Sequence, residues 1–252
     1  VGPKVMQVLS GATDEELQGK TEEEKIEYCQ NIIKDAGGLK NYSSYYEDEE
    51  EYPTVLGLPI HPTDDGKSPD LSHTELRNSY MSHQQYRNWT TFMEAELAAL
   101  IDIGYNINLS DYFGKSYYLN NITDTLTGDY NFTKDYAVGV HVYGDNSTIT
   151  QTGNITLNGD GSFGAKIEGI NNNYILDGSN IEVFGNNSIA LGASYGKNHE
   201  ITLENNSTVK STGKNSVAVS FDFGKNVLSE NVAQEGSYIT NEKKQMMMYQ
   251  LI

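Results

Sequence analysis

Val138-Gly139-Val140-His141-Val142-Tyr143-Gly144-Asp145-Asn146 decides the fold, because its plan returns three times downstream. The later copies are Phe163-Gly164-Ala165-Lys166-Ile167-Glu168-Gly169-Ile170-Asn171, Ala190-Leu191-Gly192-Ala193-Ser194-Tyr195-Gly196-Lys197-Asn198 and Ala218-Val219-Ser220-Phe221-Asp222-Phe223-Gly224-Lys225-Asn226. Their punctuating glycines are spaced 169−144 = 25, 196−169 = 27 and 224−196 = 28. Self-similarity at about 20–50 residues marks a solenoid. Each unit holds a short strand ending in glycine, an Asn-rich turn and two further short strands, with no helical stretch. The fold class is therefore mainly β: a parallel β-helix over 137–240, preceded by a small mixed, helical segment.

Strand side chains alternate between faces. Val138, Val140 and Val142 are expected to point inward, and Phe163, Ala165 and Ile167 to match them one coil later. In the third and fourth units the apolar set is Ile189, Leu191, Ala193, Tyr195 and then Val217, Val219, Phe221, Phe223, a shift of one residue. Such a shift reverses the face unless a bulge or insertion absorbs it, at a place the sequence does not mark. Gly and Asn suit the turns because they accept positive φ cheaply. Stacked Asn side chains can form hydrogen-bonded ladders between coils. A stack also has open ends, which invite strand addition unless capped. Residues 111–136 read as a linker or cap, and the tail 241–252, with its Met246-Met247-Met248 run, departs from the repeat.

Working outward, residues 1–110 carry a different period. Thr21 and Glu24 have the spacing of a capping box, in which each side chain satisfies the other's amide. Ile26, Cys29, Ile32, Ile33 and Ala36 then share one helical face, and Gly37-Gly38 ends it. A second helix is expected from Thr91, with Glu94 as box partner, Met93, Leu97, Leu100 and Ile101 as its buried stripe, and Gly104 at its end. Cys29 is the one cysteine, so no internal disulfide exists, and its place on an apolar face reads as a small buried hydrophobe. The acidic run Glu47 to Glu51 reads as a solvated loop.

The formal net charge is −18, which repels phosphate and anionic lipid; nucleic acid is excluded as a partner. No stretch reaches the roughly 18 apolar residues of a membrane-spanning helix. The chain opens on Val-Gly-Pro-Lys and reads as an internal cut through a longer protein.

Leu71-Ser72-His73, Asn78-Ser79-Tyr80-Met81-Ser82-His83, Tyr86-Arg87-Asn88-Trp89 and Glu96 to Tyr105, together with the repeats, resemble bacterial autotransporter proteins. In these the passenger begins with a zinc-metalloprotease-like region and continues as a β-helix. The likeness covers about two thirds of the chain. In proteases of the leishmanolysin type, two zinc-binding histidines lie in an HExxH helix and the third ligand far downstream in a Ser-His-Trp context, followed by a Met-turn. By that resemblance His73 matches the third zinc ligand and Met81 the Met-turn, 81−73 = 8 residues apart. The sequence departs from the pattern at Thr74, where Trp is expected, and has no HExxH among its five histidines. A catalytic zinc needs three protein ligands and a base. Zinc is thus expected only in a full-length parent, and no catalytic residue or cofactor in this chain alone.

The other histidines have plainer readings. His83 lies in a packed turn with Tyr86 and Trp89, while His141 and His199 lie in or beside solenoid turns with no acidic partner at a recognisable spacing. Asn158-Gly159-Asp160-Gly161-Ser162 resembles a calcium loop but reads as a tight turn, since Phe163 stands where glycine is needed. Two functions stay open. One is a piece of a secreted, surface-anchored passenger with a protease-like region and a β-helix stalk. The other is a non-enzymatic adhesin binding a host or matrix protein or glycan. Either meets the membrane only through a C-terminal barrel that these residues do not contain.

Overall fold

The chain divides between Ile107 and Asn108 into two units, each with its own buried core. The computed structural model describes residues 2–40, 54–62, 69–74, 76, 79–81, 91–193, 198–221 and 250–251.

The first unit is built on helices α1 (Pro3–Ser10), α2 (Asp14–Leu17) and α3 (Glu22–Asp35). The Thr21 box forms: its N–H reaches Glu24 Oε2 at 2.8 Å, and the Glu24 N–H returns to Thr21 Oγ1 at 3.3 Å. Cys29 and Ile33 are fully buried on α3, with Val5, Met6 and Leu9 buried on the α1 helix that α3 packs against. Gly37 and Gly38 follow α3 at φ 91° and 79°, the left-handed geometry expected of them. Two short antiparallel pairs come next: β1 (Leu39–Lys40) with β2 (Thr54–Val55), and β3 (Ile60–Pro62) with β4 (Pro69–Thr74).

Helix α4 (Glu94–Asp102) starts later than the sequence suggests. Glu96, not Glu94, is the residue that reaches back, accepting the Met93 N–H at 2.8 Å, so the N-cap is Met93 rather than Thr91. The buried residues are Met93, Ala95, Glu96 and Ala98, while Leu97, Leu100 and Ile101 are half-buried. Small residues face inward because α4 packs against α1. The Asp102 carboxylate then takes the Lys4 and Val5 amides, both at 2.9 Å, and so satisfies donors that the first turn of α1 leaves open. The longest helix of the described residues has 14 residues, and none is long and apolar enough to cross a membrane.

The second unit is a parallel β-solenoid of about four turns. After a 3-10 turn at Leu109–Asp111 come β5 (Phe113–Tyr117), β6 (Thr123–Leu126) and β7 (Tyr130–Phe132). The next coil is β8 (Val138–Val142), β9 (Thr148–Gln151) and β10 (Ile155–Leu157). The third is β11 (Phe163–Ile167), β12 (Asn173–Asp177) and β13 (Asn180–Val183); the fourth is β14 (Ile189–Ala193), β15 (Glu200–Glu204) and β16 (Thr208–Ser211). β17 (Val217–Phe221) begins a fifth, and β18 (Gln250–Leu251) lies parallel to β15. Three parallel sheets run along the stack, in the orders β5-β8-β11-β14-β17, β6-β9-β12-β15-β18 and β7-β10-β13-β16. The stretch 111–136, expected as a linker or cap, is therefore the first coil. Phe113 pairs with Val138 and Tyr130 with Ile155 at a 25-residue interval, the one that also separates Val138 from Phe163. The remaining residues of the expected repeat to 240, and of the tail, lie outside the described residues.

The one-residue shift between repeats is absorbed at corners, and no face reverses. Val140, Ala165, Leu191 and Val219 stay in one column, as do Val142, Ile167, Ala193 and Phe221. From Gln151 to Ile155 is 155−151 = 4 steps, but from Leu176 to Ile181 it is 181−176 = 5. Gly178, at φ 62°, sits in that longer corner. The next coil gains again: Ala193 to Glu200 is 7 steps where Ile167 to Asn173 is 6.

Val138 and Phe163 correct another expectation. Both are buried, yet neither belongs to the central core, which takes Ala137, Val140, Val142, Ala165 and Ile167. A Cβ at Gly139 would lie 2.7 Å from Ile155 Cγ2, so it is the Gly139 position that faces the lumen beside Val140. Fully buried Ile149, Ile155, Leu157, Tyr174, Leu176, Ile181 and Leu191 fill the lumen. Each such side chain contributes about 1.5–3 kcal/mol.

Candidate functional site

Two constellations gather chemistry-bearing side chains. The first centres on Glu96, buried between β4 and α4. Its carboxylate accepts the Met81 N–H at 2.8 Å, the Met93 N–H at 2.8 Å and the Thr74 hydroxyl at 3.3 Å. Thr74 and Met81 also pair through their backbones, Thr74 N–H to Met81 carbonyl at 3.2 Å. Burial pushes the Glu96 carboxyl above its ordinary range, and the donated hydrogen bonds from Met93 and Met81 only partly oppose it. Glu96 is thus a clamp that holds Thr74 and Met81 at the start of α4.

His73 adjoins this clamp through Thr74, and Met81 is held in it. His73 is half-buried in β4 beside Thr74, and Met81 is half-buried, with its backbone rather than its thioether engaged by Glu96. Among the described residues no three His, Cys, Asp or Glu side chains gather to hold a metal. His73 is the one member of the zinc set that the resemblance supplies here, and one imidazole does not make a catalytic zinc site. The residues present do not fit that metal by themselves. His83, Trp89 and the acidic run lie outside the described residues.

The second constellation was not visible in the sequence as a site. His141 on β8 and Lys166 on β11 occupy one column of the first sheet. Glu168 follows Lys166 by two residues, so it shares that face. His141 Nε2 lies 2.8 Å from Glu168 Oε2, and Lys166 Nζ lies 3.2 Å from Glu168 Oε1. The three side chains are 0–3% exposed. Tyr118 and Tyr143 stand around His141, their ring centroids 6.1 and 5.9 Å from its own. His141 thus does have an acidic partner, at 168−141 = 27, one 25-residue coil plus two. The signal was the period itself: adding 25 to 141 and 143 gives 166 and 168.

Both oxygens of Glu168 are engaged, and the cluster is closed to solvent, so it cannot reach a substrate. Its chemistry is structural: removing one partner leaves a buried charge uncompensated, a loss of about 3–5 kcal/mol in comparable pairs. The other sequence candidates resolve into the scaffold. Cys29 is buried, and burial raises its thiol. Asp160, in the calcium-like loop, accepts the Asn186 N–H at 2.7 Å and belongs to a corner ladder. His199 is buried beside β15.

The fold and its ladders define a parallel β-solenoid protein. Compared with known proteins, the chain matches no family model, no curated protein and no solved structure.

Proposed function

We propose that this chain is a piece of a secreted bacterial surface protein, an autotransporter-type passenger. In this reading the solenoid is the stalk that projects the helical unit from the cell. The observation that carries it is the stack of closed coils, with continuous ladders along each corner. Such a stack is quasi-one-dimensional and extends by adding coils, as a projecting stalk requires. The net charge of −18 supports it, since the surface repels anionic lipid and nucleic acid. The helical unit is protease-like in wording and not catalytic as this chain. His73 would supply one zinc ligand only in a longer parent that brings the other two. The membrane is met through a C-terminal barrel outside these residues.

Antibody labelling of intact source cells tests the reading. Labelling before permeabilisation is the expected result; labelling only after lysis overturns it. The zinc reading has its own test, metal content of a parent extended upstream, with and without His73→Ala. Unchanged zinc on substitution removes His73 from the ligand set.

A second reading has its own observation. The outward face of the second sheet carries the column Thr123, Thr148, Asn173 and Glu200, exposed at its two ends and half-buried between, a polar surface open to a partner. An adhesin would use such a face on a matrix protein or glycan. Uniformly negative binding to panels of both, at high concentration, counts against it.

A further inference from the structure

We propose that the first coil is a built-in end cap, whose two inward charges keep a second copy of this chain from stacking on the solenoid's N-terminal edge. The register fixes which positions face the lumen. In the first sheet Lys115 occupies the column of Val140, Ala165 and Leu191. In the second sheet Asp124 occupies the column of Ile149, Tyr174 and Ile201. Every other member of these columns in coils two to four is apolar or the buried Tyr174. Only the first coil places charges there.

The two charges are tied across the mouth of the coil by Tyr117. Its hydroxyl donates to Asp124 Oδ2 at 2.8 Å, and Lys115 Nζ stands 5.5 Å from its ring centroid. Lys115 is half-buried and Asp124 exposed, so both remain hydrated. β5, β6 and β7 end their sheets, with no further strand beyond them among the described residues. Thr123, Asp124 and Thr125 on β6 are all exposed. An incoming coil would pair with these open backbone groups, which is the hazard of any sheet edge. It would also bury Lys115 and Asp124 against its own apolar lumen without new partners, and that desolvation opposes docking. Inward-pointing charge is one of the ways edges are protected.

The experiment is sedimentation of the full chain over a concentration series, comparing wild type, Asp124→Val and the double variant Lys115→Val, Asp124→Val. Each also carries Thr125→Cys bearing a thiol-linked photocrosslinker, which reports contact of any residue of a second copy with the β6 edge. The expected result is self-association about tenfold tighter or more in the double variant, with Thr125→Cys crosslinked between copies. Asp124 is exposed, so the single variant keeps the fold and shows a smaller shift of the same sign even if the double variant does not fold. Folded single and double variants that associate no more than wild type overturn the proposal. So does tighter association without the crosslink, because it then runs through another surface.

Discussion

At the residue scale, the corners show how a few side chains set the shape of the coil. Asn121, Asn146, Asn171 and Asn198 stack at φ 55–61°, one per coil. The matching third-corner column is Tyr136, Gly161, Asn187 and Asn215. Tyr136 is the odd member: at φ 62° and 67% exposed, it holds a left-handed geometry that costs a bulky residue about 1–2 kcal/mol. Tyr136→Asn is expected to raise stability by roughly 1 kcal/mol, read from the urea midpoint at unchanged slope. Repeat spacing and the Asn-rich turns made these columns legible in the sequence. Tyr136 was not, because nothing in its own type signals positive φ.

At the element scale, ladders and clamps do the joining. Asn171 Nδ2 donates to Asn146 Oδ1 at 3.0 Å, and Asn198 Nδ2 to Asn171 Oδ1 at 3.2 Å. Asp145 Oδ1 likewise accepts the Ile170 N–H at 2.9 Å, so corners are linked coil to coil by side chains as well as strands. Asn171→Ala removes two ladder bonds and the residue suited to positive φ; a loss of about 1–2 kcal/mol is expected by chemical denaturation. In the first unit the corresponding joint is Glu96. Its carboxyl is raised in the folded state, so its contribution is whole below the unfolded value and is lost as pH rises through the folded one. The stability difference between wild type and Glu96→Gln should therefore move against wild type as pH rises from about 4.3. Denaturation at several pH values checks this, and a pH-independent difference rejects it. Glu96 escaped the sequence reading because Thr91 and Glu94 offered the same spacing; only the packing of α4 decided between the two frames.

At the scale of the whole solenoid, stability is a sum over coils and their neighbours. A middle coil has a partner on both sides. Ile181 is fully buried between Ile155 and Val209, whereas Val209, in the last complete coil, is half-buried. Ile181→Ala is expected to cost about 2–5 kcal/mol. Val209→Ala should cost less than half of that, and equal losses would show a core uniform along its length.

The sequence by itself determined the period, the three-strand coil, the glycine and asparagine corners and the Thr21 cap, because each is local or repeats at a fixed interval. A strand's alternation and a turn's φ are set by the residues that make them. Only the tertiary structure decided where the stack begins, which corners absorb the extra residues, and that Gly139 rather than Val138 faces the lumen. It alone brought Glu168 to His141 and Glu96 to Met81. Those outcomes depend on which side chain fits beside which across coils or between elements, and contact of that kind is fixed by packing in space rather than by order along the chain.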